Sequence, residues 1–123
     1  MKNYFTEDEL SCPCCGMNKF NDETLLKFNK LRHDIGRPLA MSSGYRCEAY
    51  NASKGYTQTH ATGQAGDLAI AGELAFDIVS LAVDYGFTGI GIKQHGPHNT
   101  RFIHLDDLEA ANKRPRPWIW SYK

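Results

Sequence analysis

The run Phe102-Ile103-His104-Leu105-Asp106 constrains the fold of this chain more than any other stretch. Side chains alternate across a strand, so Ile103 and Leu105 share one face while Phe102, His104 and Asp106 share the other. The first face suits a core. The second carries an imidazole and a carboxylate, which a folded chain keeps near water or near partners. The chain must therefore build a sheet with one packed face and one face turned to a cleft.

The remaining elements supply what packs on that sheet. Asn21-Asp22-Glu23 reads as a helix start, with a short polar cap and early acids that suit the helix dipole. Thr24, Phe28, Leu31 and Ile35 then recur at helical spacing until Gly36-Arg37-Pro38 ends the element. A second helix follows Gly72, with Leu74, Ile78, Leu81, Ala82 and Tyr85 on one stripe and Gly86 as its stop. Strands are predicted at Leu39 to Ser43, Asp67 to Ile70, Phe87 to Ile92 and Arg101 to Asp106. The stretch from Glu48 to Gly66 reads as turns. No repeat, linker or low-complexity tract interrupts the chain. This order predicts one small α+β domain over residues 1–123, with helices packed on a small antiparallel sheet.

Charge narrows the partners. The 14 basic residues balance the 14 acidic ones, so no field of one sign favours nucleic acid or an anionic membrane. The most apolar stretch, Leu74 to Val83, is too short to span a bilayer and contains Asp77. The first nine residues lack the apolar core of a secretory signal, which predicts synthesis in the cytoplasm without a signal peptide.

Four cysteines admit three states. Cys12, Cys14 and Cys15 crowd together and Cys47 stands alone. Unpaired buried thiols are the plainest reading, since such cysteines behave as small hydrophobes. A disulfide from the N-terminal arm to Cys47 is the second. A four-cysteine metal knuckle is the third, made awkward by the adjacency of Cys14 and Cys15.

A histidine, an aspartate and a second histidine suit one catalytic zinc, which commonly takes three protein ligands and leaves a position open. His60 and Asp67 flank a loop of small residues able to fold tightly around an ion, and His104 lies on the strand face described above. By spacing alone this remains a weak pattern. His60 could equally cap a turn, and Asp106 could simply accept backbone hydrogen bonds.

The ordered set Ser43-Gly44-Tyr45-Arg46, Asn51, His60-x6-Asp67, Gly89-Ile90-Gly91 and Phe102-Ile103-His104-Leu105-Asp106 resembles the zinc D-alanyl-D-alanine carboxypeptidase family. It is most similar to the compact branch that holds small wall carboxypeptidases and phage endolysins. Tyr4-Phe5-Thr6-Glu7-Asp8-Glu9-Leu10 and the cysteine-rich segment also look like that branch. The resemblance implies a Hedgehog/DD-peptidase-like fold, a zinc cofactor (Zn2+) and a peptidoglycan peptide as substrate. It implies His60, Asp67 and His104 as zinc ligands, with Arg46 beside the metal to meet the substrate carbonyl or its developing oxyanion. It further implies hydrolysis of a stem or cross-link peptide by a monomer with no nucleic-acid partner and no membrane insertion. A phage enzyme of this kind would reach the wall through a holin or on the virion.

One departure concerns the base. Many family members carry an acid three residues before the last zinc histidine, or a histidine two before it; here Arg101 and Phe102 stand there. Asp106, on the strand face of His104, is the first candidate, with orientation of a ligand histidine as its alternative role. His98 and His95, on the loop from Lys93 to Asn99 before that strand, are next, and His33 reads as structural. Trp118 and Trp120 either pack on the core or form a lip of the cleft. Two other functions stay open: a non-catalytic zinc-containing wall-binding module, and an interaction surface organised by a cysteine-held zinc.

Overall fold

The computed structural model describes residues 2–123. A short helix α1 (Glu7–Leu10) is followed by α2 (Asp22–Ile35), β1 (Met41–Ser43), α3 (Glu48–Lys54) and β2 (Ala65–Leu68). Then come α4 (Gly72–Ala82), β3 (Gly89–Lys93), β4 (Phe102–Asp106) and β5 (Trp118–Ser121). The result is α+β, with helices on a five-stranded sheet of order β1-β2-β4-β3-β5.

Local chemistry fixes the two long helices. Asn21 caps α2 by accepting from the Thr24 N–H at 3.0 Å, and Gly36 ends the helix at φ 65°. Thr24, Phe28 and Leu31 point inward, following the helical spacing of the sequence. Ala75, Ile78 and Ala82 form the buried stripe of α4, with Leu74, Leu81 and Tyr85 partly buried beside it. These faces close over Leu68, Ile90, Ile103 and Leu105 from the sheet, and the buried Phe28 ring packs 4.8 Å from that of Phe87.

Three expectations change. The sheet is mixed, because β5 runs parallel to β3, with Gly89 opposite Trp118 and Gly91 opposite Trp120. The cause is topological. β4 ends beside Gly89, and the chain then passes β3 and enters β5 at that same end. The segment after Glu48 also begins as a helix, α3, capped by the Cys47 thiol and closed by Gly55 at φ 71°. A buried Asn51 side chain secures it, donating from Nδ2 to the Arg46 carbonyl and to Gln58 Oε1, both at 3.2 Å. The strand predicted over Asp67 to Ile70 starts earlier, at Ala65, because β2 pairs from Ala65 opposite Asp106 to Leu68 opposite Ile103.

β4 behaves as its alternation demands. Ile103 and Leu105 are buried in the core, while His104 and Asp106 lie on the opposite face. The neighbouring Asp107 turns the other way and ties the sheet to α2 through Thr24 Oγ1 at 2.9 Å and Lys27 Nζ at 2.8 Å.

Candidate metal centre

Strand pairing brings the first two functional side chains together, since Asp67 on β2 lies directly opposite His104 on β4. The third, His60, arrives from a tight helical turn over Thr59–Thr62 that leads into β2 and closes on Gly63 at φ 75°. That turn is stitched to the loop after β1. His60 donates from Nδ1 to the Gly44 carbonyl at 2.7 Å, and the Arg46 N–H donates to the His60 carbonyl at 3.4 Å. Gly44 itself packs so close to α1 that a Cβ would lie 2.7 Å from the Glu9 carbonyl oxygen.

Three atoms then converge. His104 Nδ1 lies 3.1 Å from Asp67 Oδ1, His60 Nε2 lies 3.3 Å from the same oxygen, and the two ring nitrogens are 3.2 Å apart. Donors bound tetrahedrally to zinc at about 2.0–2.2 Å stand about 3.3–3.6 Å from one another. The observed triangle is close to that size.

Protonation makes the case stronger than distance does. A carbonyl only accepts, so the proton of neutral His60 sits on Nδ1 and leaves a lone pair on Nε2. His104 Nε2 faces Asp106 Oδ2 at 2.8 Å, which places the ring proton there and a lone pair on Nδ1. Three acceptors therefore point at one spot, with both histidines only 2% exposed. Such a spot needs a positive charge. Burial opposes charge on His104, yet hydrogen bonds to Asp106 and Asp67 outweigh it and raise its pKa. Burial also opposes the Asp67 carboxylate, but His60 and His104 hold it well below the usual range. The donor set of two imidazoles and one carboxylate fits a divalent ion such as zinc.

A second layer fixes His104. Asp106, fully buried, accepts from His104 and from Arg116 through Nε at 2.9 Å and Nη2 at 2.8 Å. Burial works against its charge, but these partners lower its pKa to about 2. The Trp120 ring lies 5.0 Å from the His104 ring, and the Arg116 guanidinium sits 5.2 Å from the Trp120 ring centroid. Gly89 and Gly91 make room for this layer. A side chain at Gly89 would collide with the Asp106 carboxylate, and one at Gly91 would come 2.7 Å from the Trp120 indole.

The triad opens onto a cleft of about 1060 Å³. Its basic residues are Arg46, Lys93, Lys113, Arg114, Arg116 and Lys123, against the acids Glu48 and Asp67. Tyr56, Phe102, Trp118, Trp120 and Tyr122 give it aromatic walls. Arg46 stacks over Tyr56 at 4.9 Å, and its buried Nε has no partner among the described residues.

The family model described as Peptidase M15 matches residues 3–106. The chain belongs to the peptidase M15 family. Its relatives by family are zinc D-alanyl-D-alanine carboxypeptidase-like metallopeptidases, which accords with the triad's capacity to hold a metal. No curated protein matches this M15 chain.

The structure places the sequence candidates unevenly around this M15 site. His60, Asp67 and His104 meet, and Arg46 lines the cleft beside them. Asp106 stands behind His104, away from the cleft, with its oxygens taken by His104 and Arg116. His98 is exposed in a short turn, His98–Thr100, and His95 reaches the Tyr122 carbonyl at 3.1 Å; neither lines the cleft. His33 meets the Tyr4 hydroxyl at 2.8 Å, far along α2 from the triad. Arg116 and Glu48 escaped the sequence reading. Alternating Arg-Pro pairs look like an extended tail, and only the return of β5 past β3 puts Arg116 against Asp106. Among the described residues, no helix is long and apolar enough to cross a membrane.

Proposed function

We propose that this protein is a zinc peptidase that cleaves a peptide bond in bacterial peptidoglycan, within a stem or cross-link peptide containing D-amino acids. The observation that carries the reading is the convergence of His60 Nε2, Asp67 Oδ1 and His104 Nδ1, all lone-pair donors, at the floor of a basic, aromatic cleft. Zinc in that position supplies Lewis-acid polarisation of the scissile carbonyl and a water acidic enough to attack at neutral pH.

The protein's own groups do the rest. Asp106 holds the His104 proton on Nε2 and so keeps Nδ1 free to ligate, which is an orienting role and not that of a base. Arg116 keeps Asp106 ionised and fixed. The unpartnered Nε of Arg46 is available to a substrate carbonyl oxygen, where it would stabilise the charge that grows in the transition state. Lys93, Arg114 and Lys123 suit a carboxylate on the peptide, and Trp118 and Tyr122 offer apolar walls for its side chains. Asp106 and His98 give way to Glu48 as the residue to test for proton transfer, because Glu48 is the carboxylate other than Asp67 on the cleft wall.

The test is direct. The zinc-loaded protein should release new amino groups from purified peptidoglycan, and His60→Ala should lose both that activity and the triad's metal. Full activity after His60→Ala would sink the assignment. A second reading, a wall-binding module without catalysis, draws on Arg101, whose guanidinium is committed to the Gly96 carbonyl at 2.8 Å. Sedimentation with cell walls and no amine release from the zinc-loaded protein would select it.

A further inference from the structure

The four cysteines form a second convergent group, away from the triad. The segment Cys12 to Gly16 is a tight turn, closed by the Gly16 N–H to the Cys12 carbonyl at 2.9 Å and by the Cys12 N–H to the Met17 carbonyl at 2.8 Å. Gly16, at φ 72°, allows the chain to reverse there. Opposite it lies Cys47, held in place as the cap of α3. The Tyr45 N–H to the Leu10 carbonyl at 3.0 Å pins that loop to the N-terminal arm.

Across this contact the sulfurs of Cys12, Cys14 and Cys47 all lie within 4.8 Å of one another, with Cys14 Sγ and Cys47 Sγ 4.0 Å apart. Thiolates bound tetrahedrally to zinc at about 2.3 Å stand about 3.8 Å from one another. Cys15 follows Cys14 on the same turn, exposed and next to the three sulfurs that meet, and supplies a fourth thiol within reach of them. Adjacent cysteines therefore serve one cluster here, because the turn folds back on itself between Cys12 and Gly16.

Backbone N–H groups also point at the sulfurs. The Cys47 N–H donates to Cys12 Sγ at 3.4 Å, and the Tyr50 N–H donates to Cys47 Sγ at 3.4 Å. Such donors favour the thiolate, the form that ligates metal.

We propose that Cys12, Cys14, Cys15 and Cys47 bind a structural zinc ion that clamps the N-terminal arm to the start of α3. The site is independent of the His60, Asp67 and His104 centre and of the reaction proposed there. Binding releases the remaining thiol protons to solvent and changes no oxidation state. The ion would fix Cys47, and with it the adjacent Arg46 on the wall of the cleft.

The experiment uses the full chain purified under reducing conditions, with zinc counted by elemental analysis and cobalt substituted for zinc. The expected result is about two zinc ions per chain and strong thiolate-to-cobalt charge-transfer absorption. Cys14→Ser, at an exposed position, should lose one zinc and most of that absorption while circular dichroism stays unchanged. His60→Ala should lose the other zinc and keep the absorption, which separates failure of this proposal from failure of the catalytic one. Four freely titrating thiols in the presence of excess zinc, or disulfides in the freshly purified protein that reduction does not convert to a metal-binding form, would overturn it.

Discussion

Replacing Asp106 by Asn tests the central argument about His104. The carboxylate is fully buried and accepts from His104 Nε2 and twice from Arg116. Asn keeps the shape but offers one acceptor and one donor group. If its NH2 turns to His104, the ring proton moves to Nδ1, the atom that faces Asp67 and His60. Zinc affinity should then fall about 10- to 100-fold, the usual cost of losing a partner behind a ligand histidine. Arg116 meanwhile loses its buried counter-charge, and breaking such a pair costs about 3–5 kcal/mol. For a domain of this size that lowers the melting temperature by about 12–20 °C. Zinc affinity is measured by competition with a chromophoric chelator, and stability by urea unfolding of the metal-free protein. Excess zinc should restore most of the rate, because an orienting residue acts through the metal. A zinc affinity within twofold of the parent would refute the tautomer argument. A rate that stays lost at saturating zinc would return Asp106 to the role of base.

Four further outcomes are expected. Arg46→Lys should lower kcat about 10²- to 10³-fold with a smaller change in KM, as for loss of one oxyanion donor, measured as amine release from a soluble muropeptide. Glu48→Gln should lower kcat about 10²-fold or more with the metal content unchanged; an unchanged kcat would clear Glu48 of proton transfer. Gly91→Ala should destabilise the metal-free protein by about 1–3 kcal/mol in urea, because its Cβ meets the Trp120 indole at 2.7 Å. The Asp106 carboxyl has a folded pKa near 2, below its ordinary value of 3.8, so its stabilising contribution is complete above pH 3.8. That contribution should disappear as pH falls toward 2, and Asp106→Asn should flatten this part of the metal-free stability curve.

What the sequence disclosed follows from how local each signal is. The alternation in β4 separates Ile103 and Leu105 from His104 and Asp106 without any knowledge of neighbours, and the structure keeps that separation. The caps and stripes of α2 and α4 are equally local. The meeting of His60, Asp67 and His104 rests on the β2–β4 register, which spacing cannot give; only the family resemblance joined these residues beforehand. The role proposed for Asp106 draws on Arg116, whose contact requires β5 to pass β3 and run parallel to it. Three of the four β5 residues are exposed and prolines precede it, so the segment resembles a tail. The α3 helix was hidden for another reason: it is short, capped by a thiol, and secured by Asn51 contacts to backbone and Gln58.

The family match ends at Asp106, yet the support of His104 does not. Arg116 and Trp120, both beyond that limit, hold the Asp106 carboxylate and the ring face of His104. A fragment trimmed to residues 3–106 would carry all three side chains of the triad and still present His104 with a loose partner. The smallest working unit of this protein therefore runs through β5, and grafts, fusions or truncations should be cut after that strand.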